Sequence, residues 1–188
     1  MGSKAEAIRQ RIIDKADELF YRHGYENTSF SDIAKAVNIS RGNFYYHFKT
    51  KDDILKEVIK IRLQSVRDMF NEWEQNTQDT RSLIHHFIDL MTHNQNNIQQ
   101  YGCPVGTLCA ELCKINHVMQ NDATQIFSFF REWLITRFSR LGRKDDAEIL
   151  AMQLLTRTQG LATMMSTFSD DKFYPIEIQA LKDWLDEL

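Results

Sequence analysis

An all-α fold of about nine helices is predicted by three features of this 188-residue chain. Chain breakers are scarce: there are 7 Gly and 2 Pro, and the first Pro stands at position 104, which opposes a turn-rich all-β fold. Apolar residues return at three- and four-residue steps along most of the sequence. Short polar or glycine-containing breaks separate those segments. Hydrophobic residues at 43% and charged residues at 26% supply one generous core or two small domains, and they exclude a disordered chain.

The first helix is expected from about Glu6 to His23, where Ile8, Ile12, Ala16, Leu19 and Phe20 share a face and Gly24 ends the run. A short second helix follows Thr28-Ser29, with Ser29 and Asp32 at capping-box spacing and Ile33, Ala34 and Val37 on its buried side. Asn38-Ile39-Ser40 forms a turn, Ser40 supplies the next N-cap, and a third helix runs from Arg41 to Phe48. Two short helices joined by about three residues make a helix-turn-helix, which presents its second helix to a DNA major groove. After Thr50, with Asp53 as a second capping-box partner, a fourth helix continues to about Gln75, roughly 35 Å of rod. Further amphipathic segments are expected at about 80–99, 106–117, 122–141, 145–168 and 175–187. The breaks between them fall at Tyr101 to Pro104, Asn121-Asp122, Gly142 and Asp170-Asp171.

Composition narrows the function classes. No apolar run nears the ~20 residues of a membrane span, so no membrane partner is expected. The segment Met1-Gly2-Ser3-Lys4-Ala5-Glu6 lacks the apolar core of a signal peptide, and 3 Cys do not make a disulfide scaffold. A cytoplasmic location is the expectation. The net charge of −3 is unevenly spread: residues 1–60 hold 11 Lys/Arg against 9 Asp/Glu, and the remainder holds 12 against 17.

On the third helix, stepping 100° per residue places Phe44 and Phe48 on the inward face and points Gly42 and Tyr46 directly away. Arg41 and Tyr45 flank that outer face on one side, Asn43 and His47 on the other. A face of Gly, Asn, two Tyr, His and Arg without a carboxylate suits a polyanion. Gly42 removes a side chain where backbone must approach DNA. Asn43 can read a base edge, and Arg41 a guanine edge or a phosphate. Tyr45, Tyr46 and His47 can donate to phosphates. Lys51 sits in a first helical turn, where the macrodipole disfavours a cation unless a phosphate lies beside it. The alternative is an aromatic-rich surface helix that packs on another helix.

The runs Thr28-Ser29-Phe30-Ser31-Asp32-Ile33-Ala34 and Ser40-Arg41-Gly42-Asn43-Phe44-Tyr45-Tyr46-His47-Phe48-Lys49-Thr50-Lys51 closely resemble the signature of the tetracycline-repressor (TetR) family. The stretch from Gly42 to Lys51 is especially similar to the family's multidrug-efflux repressors. The resemblance covers residues 8–60; beyond it only the layout corresponds. It implies phosphate contacts from Thr28, Ser29, Ser40, Tyr45, His47 and Lys51, and a major-groove position for Arg41, Gly42, Asn43 and Tyr46. It further implies a DNA-binding domain over 1–50 and an effector-binding and dimerisation domain over 51–188. The partners it implies are a double-stranded DNA operator, a small-molecule effector and a second copy of the chain. The homodimer would form through an intersubunit four-helix bundle of about 145–168 and 175–187.

In the second half, Leu150, Leu154, Leu161 and Met165, then Ile178, Leu181, Trp184, Leu185 and Leu188, form apolar stripes that fit either a core or that bundle. Phe87, Met91, Tyr101, Cys103, Phe127, Phe130, Trp133 and Phe168 are the expected lining of an effector pocket and equally describe a plain core. Cys103 resembles the cysteine of a Gly-Cys-x-x-Gly helix start found in part of the family, some of whose members sense electrophiles or oxidants. It precedes a helix N-terminus, which favours thiolate, and a small residue buried in a tight loop is the other account. Cys109, Cys113 and His117 step by four, but the outer two stand ~12 Å apart along a helix, too far for one zinc ion.

Three classes follow: a ligand-responsive DNA-binding repressor, a thiol-based sensor through Cys103 on the same fold, and an enzyme. No Gly-rich phosphate loop, nucleophile elbow, metal-ligand motif or acid/base constellation supports the last, and no cofactor is implied.

Overall fold

The computed structural model describes residues 2–168 and 172–188; the expected break at Asp170-Asp171 lies outside them. Among the described residues every regular element is a helix: α1 (Gly2–His23), α2 (Phe30–Val37), α3 (Arg41–His47), α4 (Lys51–Asn76), α5 (Thr80–His93), α6 (Gln95–Tyr101), α7 (Pro104–Lys114), α8 (Gln120–Arg140), α9 (Ala147–Phe168) and α10 (Phe173–Asp186). The segment expected as one helix over 80–99 is two, because Asn94 interrupts it. Its side-chain amide donates to the Leu90 carbonyl at 2.9 Å, as its own backbone N–H does, so the residue closes α5 before α6 begins. The helix expected from 106 begins two residues earlier, with Pro104 at the first helical position, where its missing N–H is no loss.

The chain packs as two compact units. One comprises residues 1–65 and 107–124, the other 66–106 and 125–188. In the first, Ile12, Phe20, Ile33, Phe44 and Ile54 from α1 to α4 share a continuous core with Leu108 and Leu112 of α7. Both expected capping boxes are present. The Ser29 side chain accepts from the Asp32 N–H at 3.1 Å, and Asp32 accepts from the Ser29 N–H at 2.9 Å. Thr50 and Asp53 make the same reciprocal pair at 3.0 and 2.9 Å. The turn between α2 and α3 passes through Asn38 in the left-handed region (φ 55°), and Arg11 of α1 donates to the Val37 carbonyl at 2.9 Å. That bond ties the turn to the core beneath it.

The second unit is built round an aromatic cluster. The Phe70 ring lies 4.8 Å from Trp73, 4.6 Å from Trp133 and 5.7 Å from Phe130. Arg137 is buried beside it, paired with Glu74, with its guanidinium 4.9 Å from the Trp133 ring centre. Burial holds that guanidinium's pKa below its ordinary value. At the other end, α10 is tied to α5 by Lys182–Asp89 at 2.5 Å and His85–Asp186 at 2.8 Å. No described helix is long and apolar enough to cross a membrane.

The hydrogen bonds from Ser29 and Thr50 hold Asp32 and Asp53 below the usual carboxylate pKa. A carboxylate depressed in the folded state stabilises it fully above the unfolded value of about 3.9, and the contribution is lost as pH falls through the lower folded value. The urea midpoint is therefore expected to fall as pH drops below about 4. The Asp32→Asn/Asp53→Asn double variant should start lower and show a shallower fall. An unchanged slope in that variant would place the acid sensitivity elsewhere.

Candidate nucleic-acid interface and ligand cavity

A helix of seven residues cannot hold its own shape in water, so the setting of α3 comes from packing and caps. Phe44 and Phe48 are buried, and the Phe44 ring meets Phe30 of α2 edge-to-face at 4.6 Å. The Ser40 hydroxyl caps the N-terminus by accepting from the Asn43 N–H at 3.3 Å. With the inner face fixed, Arg41, Gly42, Asn43 and Tyr45 are exposed, Tyr46 is 73% exposed, and His47 is half-buried against the Tyr46 ring at 5.1 Å. A Cβ added at Gly42 would meet nothing within 4 Å. Nothing in the protein's own packing requires glycine there, although it costs a helix about 1 kcal/mol relative to Ala. Between Thr28 and Lys51 the bases Lys35, Arg41, Lys49 and Lys51 stand against the single acid Asp32. The result is an outward face of donors and one guanidinium with no carboxylate on it, which is the requirement for seating against a polyanion.

Two of the residues implied to touch phosphate are instead engaged within the protein. Thr28 is 2% exposed, and its hydroxyl lies 2.7 Å from the Gly24 carbonyl and 3.3 Å from that of Leu19. It fastens the α1–α2 connection and does not face outward. Lys51 is half-buried; its ammonium donates to the Tyr25 carbonyl at 2.7 Å and lies 4.0 Å from the centre of that ring. The other implied contacts, Ser29, Ser40, Arg41, Gly42, Asn43, Tyr45, Tyr46 and His47, lie on α2, on α3 or at their N-termini, and all but half-buried His47 are exposed.

The connection that Thr28 and Lys51 grip is a small polar hub. The Glu111 carboxylate of α7 accepts from the Tyr25 and Glu26 N–H groups at 2.9 and 2.8 Å. The Tyr25 hydroxyl donates to Asp52, and burial with that carboxylate beside it raises the phenol pKa. His117 approaches the same Asp52 through Nε2 at 3.4 Å while its Nδ1 accepts from the Met119 N–H at 3.1 Å. Gly24 fits here for two reasons: its φ is +85°, and a Cβ would crowd the Glu111 carboxylate at 2.9 Å. Glu111 and His117 carry no local signal of this task, because their partners stand more than sixty residues away in sequence.

In the second unit, Phe87, Met91, Cys103 and Phe130 do come together, round a cavity of ≈ 200 Å³. Met69, Leu90, Leu155 and Gln159 also line it and were not anticipated. The other four expected lining residues are elsewhere. The Trp133 indole N–H donates to Glu74 at 2.6 Å, which turns the ring into the aromatic cluster. Phe127 and Tyr101 are half-buried outside the wall. Phe168 is 69% exposed and borders a separate hollow beside Phe173 and Tyr174. Cys103 stands at the N-cap of α7, and its sulfur accepts from the Gly106 N–H at 3.4 Å. Capping and lining account for a cysteine at this position without a thiol switch.

Of the two readings of the apolar stripes on the last two helices, core and bundle, these side chains take the first. Leu150, Leu154, Leu161 and Met165 of α9 and Ile178, Leu181 and Leu185 of α10 are buried within the single chain, and Trp184 and Leu188 are half-buried. The same two helices turn other apolar side chains outward: Ile149 at 60% exposure, Ile176 at 63%, and Met152 and Met164 close behind.

A three-helix unit whose short third helix is held by an aromatic anchor and offers a carboxylate-free outer face defines a helix-turn-helix protein. Residues 12–58 match the family of bacterial regulatory proteins, tetR family. The chain is 26% identical over 136 residues to the uncharacterized HTH-type transcriptional regulator in the lacX 3' region of Lactococcus lactis subsp. lactis, covering 71% of this chain and 69% of that protein. It is 35% identical over 71 residues to the HTH-type transcriptional regulator AcrR of Shigella flexneri, a match spanning 38% of this chain and only 33% of AcrR. In fold it is similar to a TetR transcriptional regulator from Chloroflexus aurantiacus J-10-FL, with a TM-score of 0.85 at 20% identity over 98% of this chain and 96% of that one.

Glu111→Ala leaves the Tyr25 and Glu26 amides without their acceptor. It is expected to lower unfolding stability by about 1–2 kcal/mol in urea titration. Glu111→Gln, which keeps one acceptor oxygen, should lose less. Equal losses would mean that the carboxylate is not the clamp.

Proposed function

We propose that the protein is a dimeric transcriptional repressor that binds a near-palindromic DNA operator through residues 1–50 and releases it when an effector occupies the domain of residues 51–188. The observation that carries this is the outer face of α3: Arg41, Gly42, Asn43 and Tyr46 lie together in the open with no carboxylate among them. In this reading Asn43 and Arg41 read base edges, Gly42 lets the helix backbone approach, and Ser29, Ser40, Tyr45 and His47 position the phosphates. Thr28 and Lys51 brace the connection that sets α2 and α3. Two recognition helices in successive major grooves stand ~34 Å apart, so a small change in their separation lowers affinity without altering any DNA contact. An effector produces that change only as far as it binds the two states differently. The apolar outward side chains of α9 and α10, with Gly160 among the small residues between them, supply the face on which a second copy packs.

Selection of bound duplexes from a random-sequence pool at two salt concentrations tests the DNA reading. A two-fold symmetric consensus whose affinity falls steeply with salt is expected. Retention of sequence-blind DNA would overturn it. Within that assay Asn43→Ala should relax preference at one base position by roughly tenfold, and Tyr45→Phe should weaken all sequences alike.

The dimer is tested by Ile149→Asp combined with Ile176→Asp. Both positions are exposed, so the fold is kept, and the expected outcome is a monomer by light scattering with loss of operator affinity. A dimer that survives both charges would place the interface elsewhere.

A further inference from the structure

The wall of the ≈ 200 Å³ cavity specifies the chemistry of its occupant. Among the described residues that line it there is no acidic, basic or histidine side chain. Its surface is carbon and sulfur: Phe87 and Phe130, whose rings meet edge-to-face at 5.5 Å, with Met69, Met91 and Leu155 around them. An ion entering such a wall would lose its hydration with no opposite charge to replace it. The volume sets a second limit. A dry apolar cavity of about 150 Å³ holds one benzene molecule, so this one has room for a single ring and a small substituent.

Three polar side chains reach the wall, and two of them have partners of their own. The Thr158 hydroxyl donates to the Leu155 carbonyl at 3.0 Å, and the Asn94 amide donates to Leu90 at 2.9 Å. The Gln159 carboxamide makes no hydrogen bond among the described residues, and its Oε1 lies over Gly106 so closely that a Cβ there would overlap it. A primary amide offers both donors and an acceptor, so it reads a neutral hydroxyl or carbonyl from either side. We infer that this cavity binds a small uncharged molecule of single-ring size, apolar over most of its surface and bearing one hydrogen-bonding group that Gln159 recognises. The inference rests on the reading of residues 51–188 as the effector domain, and it names the effector's class.

Calorimetry of the purified full-length protein at pH 7 with four compounds of one size tests it: benzyl alcohol, toluene, protonated benzylamine and benzoate. Benzyl alcohol is expected to bind most tightly, toluene about tenfold more weakly, and the two ions at least a hundredfold more weakly. Leu155→Phe, which fills the cavity, should abolish binding of both neutral compounds. Gln159→Leu should bring benzyl alcohol down to the level of toluene and leave toluene unchanged, and Gly106→Ala, which displaces the Gln159 amide, should act in the same direction. Ions binding as well as the alcohol, no neutral compound binding, or an alcohol preference that survives Gln159→Leu would each overturn the inference. Because binding is read without DNA, a failed operator selection bears on the repressor reading alone.

Discussion

The burial of Phe44 is the constraint from which the DNA-facing surface follows. α3 has only seven residues, too few to form a stable helix alone, and Phe44 is the side chain that fixes it against Phe30 and the unit core. Once that ring points inward, helical geometry leaves no freedom for the rest. Gly42 and Tyr46 must face out, and Arg41, Asn43, Tyr45 and His47 must flank them. A smaller residue at 44 would leave a void in the core and also release the rotational setting of the helix. Core packing and surface chemistry are therefore one property of this segment.

This explains which parts of the site were legible in the sequence. Capping boxes, the α2–α3 turn and the inward pair Phe44 and Phe48 are local features, decided within four residues, and the structure has each of them where periodicity places it. The polar hub is different. Glu111 is recruited by backbone amides of the α1–α2 connection, and an amide N–H carries no sequence signature that could announce its partner. Thr28 and Lys51 show the converse: their residue types suit a phosphate, but nearby carbonyls of Gly24 and Tyr25 claim them first.

The second unit was legible in class and less so in detail, for a reason visible in α9. Its strong stripe of Leu150, Leu154, Leu161 and Met165 belongs to the chain's own core, while Ile149, Met152 and Met164 keep the opposite side apolar as well. A helix apolar on both sides cannot be assigned to core or interface by periodicity alone. Aromatic residues posed the same difficulty in the pocket. Trp133 and Phe130 are three residues apart on α8, yet the indole N–H seeks the Glu74 carboxylate and the phenyl ring has no such demand. One polar atom thus keeps Trp133 off the cavity wall, while Phe130 belongs both to the aromatic cluster and to the wall.

Differential affinity limits how a ligand could act. The boundaries between the two packed units fall inside α4, α7 and α8. Cys103 and the first residues of α7, Pro104 and Val105, belong to the cavity wall. A ligand there could shift the start of α7 between two positions only by binding them differently. The free energy available for the shift is the difference between the ligand's affinities for the two positions, whatever its overall affinity. In an apolar wall that difference comes from how completely the wall closes on the ligand, and a molecule matched to the cavity in size gains most from closure.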